Sequence, residues 1–142
     1  MRIAIGNDHG GLELADACRD WLQDNGYSVI DVGTNNSDSV DYPVYAKKVV
    51  EEIIRGRVEY GILICGTGIG ISIAANKWPE IRCGLCHDTT TARLTRLHND
   101  ANIVAMGGRI VGTEVGLDII KTFLNTEFEG GRHQNRINMI ER

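Results

Sequence analysis

The run Cys65-Gly66-Thr67-Gly68-Ile69-Gly70 puts a thiol directly in front of alternating glycines. Glycines between an apolar strand and a helix expose backbone N–H groups, and such a nest stabilises a phosphate or a developing oxyanion. The same groups favour a thiolate, so Cys65 could serve as a base or nucleophile. A buried strand-end cysteine is the plainer alternative. The run is not the dinucleotide pattern G-x-G-x-x-G, because position 71 is Ile, and it lacks the lysine of a Walker loop. Other polar groups sit in comparable settings. Asp8 and His9 precede Gly10-Gly11, Arg109 follows Gly107-Gly108, and His98 stands before Asn99-Asp100. Asp8 could equally cap a helix, and His98 could answer a helix dipole. Arg132 and Arg136 are four residues apart, so a helix sets both on one face.

Something must hold these groups, and the apolar pattern says what. Short β-rich runs fall at residues 2–6, 28–32, 60–65, 82–87 and 102–106. Between them lie segments with helical periodicity at 12–25, 43–56, 70–77, 89–97 and 113–125. Leu14, Ala15, Cys18 and Leu22 mark one apolar stripe, and Ala46, Val49, Val50, Ile53 and Ile54 another. Strands alternating with helices predict a five-stranded parallel sheet covered on both faces, a three-layer α/β/α domain over 1–142. Ligands in such sheets bind beyond the carboxyl ends of the strands, where the glycine-rich runs fall. Residues 33–43 form the long polar loop. The tail at 127–142 breaks at Gly130-Gly131 and reads as a last helix packing on a partner subunit, or as a frayed basic end.

The 142 residues suit one domain with a core of its own. Fifteen Lys and Arg against 19 Asp and Glu give a net charge of −4, which disfavours a general nucleic-acid binder. Any anion site is therefore local. No apolar run is long and unbroken enough for a membrane span or a signal peptide, so a soluble cytoplasmic protein is expected. Four cysteines in that setting predict free thiols. Cys83 and Cys86 match C-x-x-C, but on one buried strand they would face opposite ways and could not share a disulfide or a metal. A thiol oxidoreductase is thereby disfavoured.

The runs at Asn7–Gly11, Asp41-Tyr42-Pro43, Cys65–Lys77, His98–Asn102, Gly107-Gly108-Arg109 and Gly130–Arg136 together resemble the ribose-5-phosphate isomerase B family. The resemblance spans nearly the whole chain, in order. It implies a Rossmann-like fold and a homodimer or dimer of dimers, with no metal and no cofactor. It implies interconversion of ribose 5-phosphate and ribulose 5-phosphate, a step of the pentose phosphate pathway, through a cis-enediolate. In that picture Cys65 is the base, Gly66, Gly68, Ile69 and Gly70 line the nest, and Thr67 relays protons. His98 with Asp8 opens the sugar ring. His9, Arg109, Arg132 and Arg136 hold the phosphate, while Tyr42 and Asn99 line the sugar site. His98, Asn99, Arg109 and the tail arginines would come from the neighbouring subunit. Cys65 and Ile71 resemble the branch that uses a cysteine instead of a glutamate at position 71. Galactose 6-phosphate and allose 6-phosphate are the alternative substrates. A non-catalytic nucleotide-binding module is the competing class.

Overall fold

The computed structural model describes residues 1–141. Five parallel strands, β1 (Arg2–Asn7), β2 (Ser28–Asp31), β3 (Tyr60–Cys65), β4 (Cys83–Leu85) and β5 (Ile103–Gly107), form one sheet in the order β2-β1-β3-β5-β4. The helices are α1 (Leu12–Asp24), α2 (Tyr42–Ile54), α3 (Ile69–Ala75), α4 (Thr89–Asn99), α5 (Thr113–Leu124) and α6 (Arg132–Ile140). A single 3-10 turn, His9–Gly11, leads into α1.

Each strand alternates its side chains between two cores. Ile3, Ile5, Ile62, Ile64, Val104 and Met106 pack with Leu14, Cys18 and Leu22 of α1, Ala92 of α4 and Ile119, Ile120 and Phe123 of α5. Ala4, Leu63, Cys65, Ile103 and Ala105 pack on the other side with Val49 and Val50 of α2 and Ile71 and Ala75 of α3. The expected three layers are therefore present, with Cys65 facing the α2/α3 side.

Local chemistry sets the element ends. Asp88 caps α4, accepting the Thr91 N–H at 2.7 Å. Asp100 closes it in the left-handed conformation. Pro43 stands in the first turn of α2, where its missing N–H costs nothing.

Two expectations change in detail. β4 spans only three residues rather than 82–87. Cys86 still donates its N–H to the Ala105 carbonyl, but the chain then leaves the sheet edge. Cys83 and Cys86 belong to opposite cores, and all four cysteines are free. Burial pushes the Cys18 thiol up to about 12 and Cys86 up to about 11, and raises Cys83 further. Such thiols are unreactive near neutral pH. The tail helix also docks on its own chain: His133 and Ile137 are buried, while Met139 and Ile140 are exposed. Among the described residues, no helix is long and apolar enough to cross a membrane.

Candidate active site

The strand order reverses direction between β1 and β3, the switch point beyond whose carboxyl ends open parallel sheets bind ligands. Asp8 leaves β1 and donates its N–H to the Ile64 carbonyl of β3 at 3.2 Å. Its side-chain Oδ1 accepts the N–H groups of Gly10 at 2.9 Å and Gly11 at 3.2 Å. Asp8 is thus a cap, as one of its two readings held, and it is also buried at the switch point. Close packing explains Gly11: a Cβ there would lie 2.3 Å from the Ile64 carbonyl oxygen.

Cys65 ends β3 with its thiol buried. Its sulfur accepts the Gly68 N–H at 3.1 Å. Gly68 caps α3 in the left-handed conformation, φ 77°, which lets the helix start directly after the loop. Thr67 Oγ1 accepts the Ile69 N–H at 3.2 Å, so its own hydrogen is left to donate outward. The β5 exit ties on through the Gly108 N–H to the Cys65 carbonyl, 2.8 Å, and the Arg109 N–H to the Gly66 carbonyl, 2.9 Å.

Arg109 lies against the nest of its own chain: a Cβ on Gly66 would meet its Nη1 at 3.3 Å. This differs from the expected origin of Arg109 in a neighbouring subunit, because the β5 exit is bonded to the same loop. The Tyr42 ring covers Gly70, where a Cβ would fall 2.5 Å from Cζ. His9 Nδ1 accepts the Val40 N–H at 3.2 Å, which leaves the hydrogen on Nε2 and pins the long polar loop to the β1 exit.

His98, Asn99, Arg132 and Arg136 lie elsewhere. α4 runs back from the carboxyl end of β4 to the amino end of β5, so His98 and Asn99 sit at the opposite edge of the sheet from Cys65. Asn99 lines a cavity of about 300 Å³ with Arg82, Cys83 and Ile140. The His98 ring stacks on the His133 ring, with centroids 4.5 Å apart. This brings α6, with Arg132 and Arg136, alongside the end of α4. One chain therefore assembles Asp8, His9, Tyr42, Cys65–Gly70 and Arg109, and carries the other four as a second group.

His98, Glu129 and His133 offer ligand-type atoms within 4.8 Å of one another. The two imidazoles are nearly parallel, at 18°, so their in-plane lone pairs run side by side instead of converging as a tetrahedral ion requires. His133 Nε2 instead faces Glu129 Oε2 at 3.6 Å.

Sequence reasoning assigned no role to two residues that bear on these groups. His133 is buried against His98. His87 places Nε2 3.2 Å from the Thr67 carbonyl. Both contacts join segments far apart in the chain, so no local pattern marks them.

A three-layer sheet with a thiol and an anion nest at its switch point is the frame of a small-molecule enzyme acting on an anionic substrate. The chain belongs to the ribose/galactose isomerase family, whose sequence pattern matches residues 3–140. It is 47% identical to ribose-5-phosphate isomerase B of Escherichia coli, over 98% of this chain and 93% of that one. The structure of ribose-5-phosphate isomerase B from Clostridium thermocellum superposes with a TM-score of 0.98 at 52% identity, covering 99% of this chain and 95% of that one. The Thermotoga maritima ribose 5-phosphate isomerase structure gives 0.97 at 48%, covering 99% and 97%.

Proposed function

We propose that this protein is an aldose–ketose isomerase that interconverts ribose 5-phosphate and ribulose 5-phosphate, with Cys65 as the base. The observation that carries the mechanism is the Cys65 sulfur, set 3.1 Å from the Gly68 N–H at the head of the nest. A thiolate there removes the proton on C2 of the open-chain aldose. The C–H electron pair moves into the C1–C2 bond, and the carbonyl pair moves onto O1. The resulting cis-enediolate carries its negative charge at the nest, where the N–H groups of Gly66 to Gly70 other than those held by Cys65 Sγ and Thr67 Oγ1 donate to it. The Thr67 hydroxyl passes a proton between O1 and O2, and the proton held by sulfur returns to C1. The reaction is balanced within the sugar and needs no outside electron donor or acceptor.

The substrate enters as a ring, which must open first. His98, paired with Asp8, serves that step, and Asn99 and Tyr42 hold the sugar hydroxyls. His9 presents its Nε2 hydrogen, and Arg109, Arg132 and Arg136 present guanidinium groups, to the phosphate. Binding of this remote dianion helps place the reacting carbons.

His98, Asn99, Arg132 and Arg136 reach the site from a second copy of the chain, in a homodimer or a dimer of dimers. The separation of the two residue groups across the sheet supports this. So does the apolar rim beside the nest, where Ile69, Ile73, Leu85 and Ile110 are exposed. The family also includes enzymes for galactose phosphates, so the assay compares ribose, allose and galactose phosphates. Purified protein is expected to turn over ribose 5-phosphate fastest. Cys65→Ala is expected to keep the fold and lower kcat by about a hundredfold or more. Near-normal turnover in that variant would remove Cys65 as the base.

A further inference from the structure

We propose that His87 is a positioning residue that acts through the Thr67–Gly68 peptide to strengthen the hydrogen bond received by the Cys65 sulfur. The proposal deepens the reading of Cys65 as the base and rests on it for its catalytic consequence.

The geometry is a chain of two bonds in series. His87 Nε2 lies 3.2 Å from the Thr67 carbonyl oxygen. A carbonyl can only accept, so Nε2 carries the hydrogen. That carbonyl and the Gly68 N–H belong to one planar, trans amide, which points them in opposite directions. On the far side, the N–H donates to Cys65 Sγ at 3.1 Å. A donor on the carbonyl oxygen draws electron density from the amide nitrogen and makes its N–H a stronger donor. The gain is larger for a negatively charged sulfur than for a neutral thiol, so it favours the charged form.

His87 is available for this because β4 stops at Leu85 and the chain turns out of the sheet edge toward the nest. Its neighbour Asp88 holds the Thr91 N–H at 2.7 Å and the Thr91 hydroxyl at 2.8 Å through Oδ1, and its carboxylate is also within electrostatic reach of the His87 ring. The other charged groups facing the nest are the Arg109 guanidinium against Gly66 and the Asp8 carboxylate below Gly10.

The test uses His87→Ala and His87→Gln in the full-length protein. The glutamine amide N–H can reach the same carbonyl. Cys65 alkylation by iodoacetamide is followed against pH by peptide mass spectrometry, and kcat and KM for ribose 5-phosphate are measured in parallel. For His87→Ala, the midpoint of the alkylation profile is expected to move up by about half a pH unit, with kcat about threefold lower and KM unchanged. His87→Gln is expected to stay close to the parent in both. An unmoved midpoint in the alanine variant overturns the proposal, even if the rate falls evenly at every pH, because that is what a merely structural tether would give. A glutamine variant as displaced as the alanine one overturns it too. The alkylation midpoint is read without turnover, so failure of the Cys65 base assignment shows separately, as activity retained by Cys65→Ala.

Discussion

A methyl group on Gly68 would sit 2.7 Å from the Met106 carbonyl carbon, on a residue whose φ of 77° favours glycine. Gly68→Ala must therefore shift the turn that aims its N–H at Cys65. The expected cost is about 1–3 kcal/mol of stability, together with a loss of kcat larger than the loss in Cys65 alkylation at saturating pH. Urea unfolding and steady-state kinetics on one preparation check both. The spacing of these glycines made the nest legible in the sequence, because strand-end glycines before a helix have few other uses. The two readings of Asp8 could not be separated there, since a capping acid and an active-site acid occupy the same kind of position. The contact of His87 with Thr67 was beyond reach, because it depends on where a short edge strand ends.

Among the elements, α4 shows how local signals place a helix. Thr91 holds the Asp88 carboxyl below its ordinary range, first through its backbone N–H and then through its hydroxyl. A carboxyl lowered in the fold contributes stability above its unfolded range and loses that contribution as pH falls through the folded value. Asp88→Asn still caps but no longer titrates. The urea midpoints of parent and variant are therefore expected to keep a constant offset near neutral pH. Below about pH 4 the parent alone loses the cap contribution and moves toward the variant. An offset that stays constant through acid would show that the cap does not titrate with folding. Apolar periodicity placed the helices well, because their buried stripes are long. β4 was overread for the opposite reason: the apolar run at 81–86 continues past the residues that pair with β5. No motif or spacing singles out Arg96 in the sequence. It is buried, bonded to Asp100, Tyr60 and the carbonyls of Ala101 and Thr126, and it fixes the end of α4 that carries His98.

For the whole molecule, the proposed sharing of sites makes a prediction that no single variant can. Cys65→Ala removes the proposed base at the nest, and Arg136→Ala removes a proposed phosphate ligand at the opposite edge. Each alone is expected to be weak, the second through a raised KM. Unfolded together and refolded as an equal mixture, they are expected to recover about a quarter of parental activity, because half the dimers are mixed and each mixed dimer has one intact site. No recovery would place both groups in one chain's site. The parallel sheet and its two covered faces could be read from the alternation of strands and helices. The docking of α6 on its own chain through His133 and Ile137 could not, since the tail's few apolar residues fit a partner surface equally well.

The strand polarity of this sheet has a consequence for how two copies can meet. The nest lies where the strands finish, and His98 with the tail arginines lies where they begin. On the proposed sharing of sites, a two-fold axis that joins these edges completes both sites at once, and it does so only with the strands of the two sheets running in opposite directions. Side-by-side copies with strands pointing the same way would bring nest to nest and arginine to arginine, leaving both sites unfinished and like charges face to face.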